Sequence, residues 1–124
     1  MANYYKLHEK DTRPWGQWEV LHREDTYVIK KLTVNPGCSL RLQTHKHRSE
    51  HWIIVQGTAE VTIGKQKKLY YPQDSVFIAA GEHHCLANAA DTVLSVIEIQ
   101  TGDILDERDI IHYDQNYQAI DKEK

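Results

Sequence analysis

The sequence predicts an all-β domain, folded as a small two-sheet jelly roll. Three observations lead there. Period-two alternation dominates the middle of the chain, and no segment carries a helical stripe longer than two turns. Gly, Pro, Asn and Asp punctuate the strands at intervals of about ten residues, the spacing of a sandwich or barrel.

The first strand expected is YVIKKLTV at 27–34, rich in β-branched residues. PGC at 36–38 is a turn, because Pro fixes φ and Gly accepts positive φ. A second strand is expected from about Ser39 to His47, and after a short break HWIIVQG and TAEVTIG form an expected hairpin. KQKKLYYPQD reads as an exposed basic connection, and DSVFIAA as the next strand. Gly81 ends it, HHCLAN begins another, and TVLSVIEIQTG closes the series with an almost continuous apolar run. The last segment, from Asp106, is mixed, and is expected to make a short helix or turn before a charged tail.

The chain has 124 residues, the length of one domain, and residues 1–124 are read as a single unit with its core at about 13–112. A charged fraction of 27% beside a hydrophobic fraction of 40% is normal for a folded soluble protein and suggests neither a disordered chain nor a membrane protein. No apolar run approaches the roughly 20 residues needed to cross a bilayer, and the start MANYYKLHEKD has no signal-peptide profile, so the cytoplasm is the expected location. The net charge of -3 gives no footprint for nucleic acid or an anionic membrane. Cys38 and Cys85 lie far apart and are expected to be reduced.

The stretch QTHKHRSEHWIIVQG at 43–57 gathers His45, His47, Glu50 and His51. Such a cluster serves as metal ligands, acid/base groups or a solvated polar face. Strand alternation puts Arg41, Gln43, His45 and His47 on one side, where burial without a ligand or an ion would be costly. GEHHCLAN at 81–88 supplies a second constellation, a histidine and an asparagine following a glycine turn.

Together the two stretches resemble the motifs of the cupin superfamily. Gly37, His45, His47, Glu50 and Gly57 match the first motif, and Gly81, His84 and Asn88 the second, with Ala79 where proline is usual. The resemblance implies a double-stranded β-helix, the cupin jelly roll, holding a divalent metal through His45, His47, Glu50 and His84. Zinc is the first expectation, with manganese, iron, nickel or cobalt also suited to such ligands. His51 and Gln43 are alternative ligands, and His83 is expected to be a solvated turn residue.

RPWG at 13–16, the segment 34–62 and IEIQTGDILDERDII at 97–111 are similar to the cupin domain of type II phosphomannose isomerases, often joined to a mannose-1-phosphate guanylyltransferase, here expected to stand alone. That resemblance implies interconversion of mannose 6-phosphate and fructose 6-phosphate. Proton transfer between C1 and C2 needs a base, for which Glu50, His51 and Glu98 are the candidates. Alternation along VLSVIEIQ places Glu98 inside. Arg13, Lys30, Arg41, Gln43 and Arg48 are the candidates for binding phosphate and sugar oxygens, and Trp15 and Trp52 for the cavity mouth or the core. The family's usual arginines are replaced by Cys85, His112 and Asn116, whereas Arg41 stands where a small serine is common. A non-catalytic sugar or sugar-nucleotide binding cupin and another metalloenzyme such as a dioxygenase are the competing functions, and a homodimer is the expected assembly.

Overall fold

The computed structural model of the chain describes residues 5–120. Their strands are β1 (Lys10–Arg13), β2 (Gly16–Arg23), β3 (Tyr27–Val34), β4 (Gln43–Thr44), β5 (Arg48–Gln56), β6 (Ala59–Ile63), β7 (Gln66–Tyr70), β8 (Ser75–Ile78), β9 (His84–Ala87), β10 (Leu94–Gly102) and β11 (Ile111–His112). A single 3₁₀ turn, Glu107–Asp109, precedes β11. The strands pair as two antiparallel sheets, one ordered β1-β2-β3-β10-β5-β8 and the other β11-β4-β9-β6-β7. This is the all-β jelly roll expected from the alternation. No helix among the described residues is long and apolar enough to cross a membrane.

Three local expectations fail. HWIIVQG and TAEVTIG do not form a hairpin, because β5 and β6 belong to different sheets. Gly57 makes the crossing with φ +88, and a Cβ there would meet the Val93 carbonyl oxygen at 2.6 Å. Gly57→Ala is therefore expected to destabilise the fold by about 1–3 kcal/mol, seen as a lowered denaturant midpoint; an unchanged midpoint would contradict the crossing geometry.

The basic segment 66–70 is a strand and not a connection, pairing with β6 from Ala59↔Tyr70 to Ile63↔Gln66. It is the outer strand of its sheet, so its exposed lysines meet water and need no alternation. Residues 10–23 add β1 and β2, which no expectation included. The strand expected over 39–47 shrinks to Gln43–Thr44 and an isolated bridge between Ser39 and Ala87.

Between the sheets, Trp18, Val20, Leu32, Val34, Trp52, Ile54, Val61, Ile78, Leu86 and Val96 form the apolar core. At burial of roughly 1.5–3 kcal/mol for each large side chain, this cluster supplies the drive that tolerates polar groups elsewhere in the interior. Those polar groups are concentrated along neighbouring strands by register. Glu98 of β10 lies opposite Lys30 of β3 and Trp52 of β5, and Gln100 lies opposite Glu50. Directly opposed residues share a face, so one stretch of the barrel interior becomes ionic.

Candidate metal centre and adjoining cavity

Three elements deliver the central group. β5 presents Glu50 inward, β9 opens with His84, and the bend after β4 carries His45. All three are buried, and one ligand atom from each lies within 4.8 Å of the others. His45 Nδ1 bonds the Asp109 carbonyl oxygen at 2.8 Å, and His84 Nδ1 bonds the Glu82 carbonyl oxygen at 2.9 Å. A carbonyl only accepts, so both rings carry a proton on Nδ1 and turn Nε2 inward. Those Nε2 atoms stand 3.0 and 3.9 Å from the Glu50 carboxylate. Two imidazoles oriented by backbone carbonyls beside a carboxylate make a donor set able to hold a divalent metal ion.

Glu50 also accepts from Arg48 Nε and Trp52 Nε1, each at 3.0 Å. Burial by itself would raise its proton affinity, but His45 and Arg48 outweigh burial and hold the carboxyl well below the usual range. Burial likewise opposes the charge of Arg48, yet Glu50 and its neighbours keep the guanidinium more firmly protonated than usual. For His84 burial prevails and pushes the ring down to about 4, so it is the neutral, ligating form near neutrality.

Glu98 behaves in the opposite way from Glu50. Burial, reinforced by the Glu50 charge, lifts it to about 8 despite the pull of Lys30. Its oxygens accept from Trp52 Nε1 at 3.1 Å and Gln100 Nε2 at 2.8 Å. Burial lowers Lys30, whose ammonium lies 4.1 Å from the Tyr5 ring centroid and 4.2 Å from that of Trp18. Two buried carboxyls with divergent proton affinities beside one indole are the pattern of an acid/base site.

A cavity of about 340 Å³ adjoins this group, with Lys30, Arg48 and Glu98 at its buried end and Arg13, Arg41 and Gln43 also among its walls. Trp15 lines it too, while Trp52 is core. Arg48 lines the cavity and also touches Glu50 on one side and the Asp106 carbonyl at 3.1 Å on another, so it joins the histidine–carboxylate cluster to the open space.

Of the expected ligands, His45, Glu50 and His84 are brought together, and His47 and His51 are not. His47 faces outward toward Asp103, at 3.8 Å, with 42% of its side chain exposed. The cause is Asp109, whose carboxylate accepts from the Lys46 and His47 amides at 2.9 and 2.8 Å and bends the chain just after His45. His51 follows Glu50 on β5, so alternation turns it to the outer face, where its ring packs 4.8 Å from Phe77. His83 is half-buried between Tyr113 and Tyr117 and not simply solvated.

Sequence reasoning missed Asp109, Gln100 and Tyr5. Gln100 was within reach, since the period that turns Glu98 inward also turns Gln100. Tyr5 and Asp109 reach the site through contacts over more than sixty residues, which no local pattern encodes.

The comparisons with known proteins agree with this fold. The family described as Mannose-6-phosphate isomerase C-terminal matches residues 2–115. The chain belongs to that family. Mannose-1-phosphate guanylyltransferase ManC of Salmonella typhimurium is 38% identical over 116 residues, which is 94% of this chain and 24% of that protein. Xanthan biosynthesis protein XanB of Xanthomonas campestris is 42% identical over 110 residues, 89% of this chain and 24% of that one. This member of the family thus spans about a quarter of the length of those relatives. Among solved structures, KdgF from Halomonas sp. superposes with a TM-score of 0.69 at 20% identity, covering 77% of this chain and 88% of that one. The Cnp3 cupin domain of Schizosaccharomyces pombe gives 0.68 at 16% identity, with 70% and 64% covered. These structural likenesses establish the cupin fold.

Proposed function

We propose that the chain is a metal-dependent sugar-phosphate isomerase that interconverts mannose 6-phosphate and fructose 6-phosphate. One observation carries the reading: the buried His45–Glu50–His84 group stands one indole away from Glu98, a carboxyl that lines a cavity rich in cations. The sugar-biosynthetic names of the relatives support the substrate class.

His45, Glu50 and His84 would hold the metal, with Gln43, which stands directly opposite His84 across β4 and β9, as a further donor. Zinc suits two imidazoles and a carboxylate, and manganese, iron, nickel or cobalt remain within the same donor chemistry. When bound, the metal polarises the carbonyl and hydroxyl oxygens at C1 and C2. The residues of the chain carry the rest. Glu98 takes the C2 proton of the open-chain aldose and returns it at C1, while the O2 hydroxyl proton passes to O1 and leaves the ketose. A carboxyl whose proton affinity lies near neutrality serves both directions. Trp52 and Gln100 fix its orientation, and Tyr5 and Trp18 close the space behind Lys30.

Metal binding has a direct readout in stability. Zinc or manganese at about 100 times its Kd is expected to add about 2.7 kcal/mol to the unfolding free energy, removed by a chelator and absent in His84→Ala. Equal stabilisation of His84→Ala and the parent protein would count against the assigned ligands. For the activity, metal-loaded protein is incubated with fructose 6-phosphate and mannose 6-phosphate is followed; turnover is expected, and its absence with every metal would end the isomerase reading.

A second reading, sugar or sugar-nucleotide binding without turnover, draws on Arg48. Its guanidinium already compensates Glu50 within the protein, so the pocket is electrostatically satisfied before any ion enters. Calorimetric binding of a phosphorylated sugar without turnover would favour it.

A further inference from the structure

We infer that Arg41 is the residue that anchors the phosphate of the ligand and sets the preference of the cavity for phosphorylated over free sugars. The inference rests on the sugar-phosphate reading above and adds to it the identity of the anchoring cation.

Four lysine and arginine side chains line the cavity in which a sugar phosphate would sit: Arg13, Lys30, Arg41 and Arg48. Three are already engaged. Arg48 spends Nε on Glu50 and Nη1 on the Asp106 carbonyl, and its Nη2 lies 3.5 Å from His45 Nε2. Lys30 is enclosed by the Tyr5 and Trp18 rings and faces the carboxyl of Glu98. Arg13 shares its Nη2 between Asp11 at 3.0 Å and Glu107 at 3.1 Å, so two carboxylates surround one guanidinium. A phosphate dianion approaching it would meet two negative charges along with the positive one.

Arg41 differs. Its guanidinium has no hydrogen bond and no ion pair among the described residues, and its side chain is exposed at the cavity wall. Only its carbonyl oxygen is used, accepting from Gln43 Nε2 at 3.1 Å, which fixes the backbone beneath it. Glu98 and Arg48 are buried and Arg41 is not, so the cavity runs from a reactive floor to a single available fork of donors. A guanidinium offers two parallel N–H bonds to phosphate oxygens, a pairing that a hydroxyl-only sugar cannot match.

The test compares the full chain with Arg41→Ala, Arg41→Lys and, as a control for general loss of positive charge, Lys67→Ala on the exposed edge strand. Binding of fructose 6-phosphate, inorganic phosphate and fructose is measured by calorimetry on metal-loaded protein. Arg41→Ala is expected to weaken the two phosphate ligands about 10- to 100-fold and leave fructose unchanged, with Arg41→Lys intermediate and Lys67→Ala like the parent. In turnover the same loss would fall on KM, with kcat within about threefold. Parent-like binding of fructose 6-phosphate by Arg41→Ala would overturn the assignment, as would equal weakening of fructose or an equal loss in Lys67→Ala. Failure of the parent protein to bind either phosphate ligand would overturn it as well. Arg41-dependent binding of fructose 6-phosphate without turnover would uphold the anchor and refute the isomerase reading alone.

Discussion

Glu50→Ala is expected to lower the unfolding free energy by about 3–5 kcal/mol, the largest effect of any substitution in the buried polar group. The carboxylate it removes accepts from Arg48, Trp52 and His45, all within 3.0 Å. Without it Arg48 stays buried without the carboxylate it pairs with, and an unpaired guanidinium in a low-dielectric interior is far costlier than the lost contacts themselves. The double substitution Arg48→Met, Glu50→Ala removes both charges and is expected to recover much of the loss, and with Arg48→Met alone it closes a double-mutant cycle. Denaturant unfolding of the four proteins in the cycle measures this. If Glu50→Ala and the double variant are equally unstable, the cost comes from lost volume and not from the stranded charge.

Glu98→Gln is expected to reduce the rate of the proposed isomerisation by about 10²- to 10⁴-fold, the contribution usual for a positioned general base. Glutamine keeps the volume and one acceptor oxygen, so Trp52 retains a partner and unfolding should change little. The discriminating measurement is the exchange of the substrate C2 proton with solvent, which requires the base even when net turnover is slow. Undiminished exchange in Glu98→Gln would remove the carboxyl from the proton-transfer role.

How far the site was legible follows from where periodicity holds. Along β10, alternation turns Val96, Glu98 and Gln100 inward, and Glu98 was placed correctly from that alone. Along β5 it separates Glu50 from His51 with equal clarity, whereas motif spacing alone admits either residue. His47 failed because the rule was carried past the end of β4, where Asp109 redirects the chain. The fold class survived the errors in its parts. A strand mistaken for a connection at 66–70 and a hairpin assumed across Gly57 change which strands pair, but both readings still require two stacked sheets. Pairing across sheets depends on long-range register, and the turn at Gly57 is compatible with either outcome until the approach of Val93 is known.

Asp109 clamps residues 45 to 47 with its carbonyl and its carboxylate together, across sequence separations of 62 to 64 residues. The ring of His45 is aimed only after the last third of the polypeptide has docked. During synthesis, then, the donor set is assembled late: a nascent chain that has exposed β1 to β9 but not yet β11 owns every ligand atom and lacks the brace that points one of them. A metal held by His45, Glu50 and His84, as proposed, would then be captured only when folding is nearly complete, sparing the emerging polypeptide from being trapped in a partly formed arrangement.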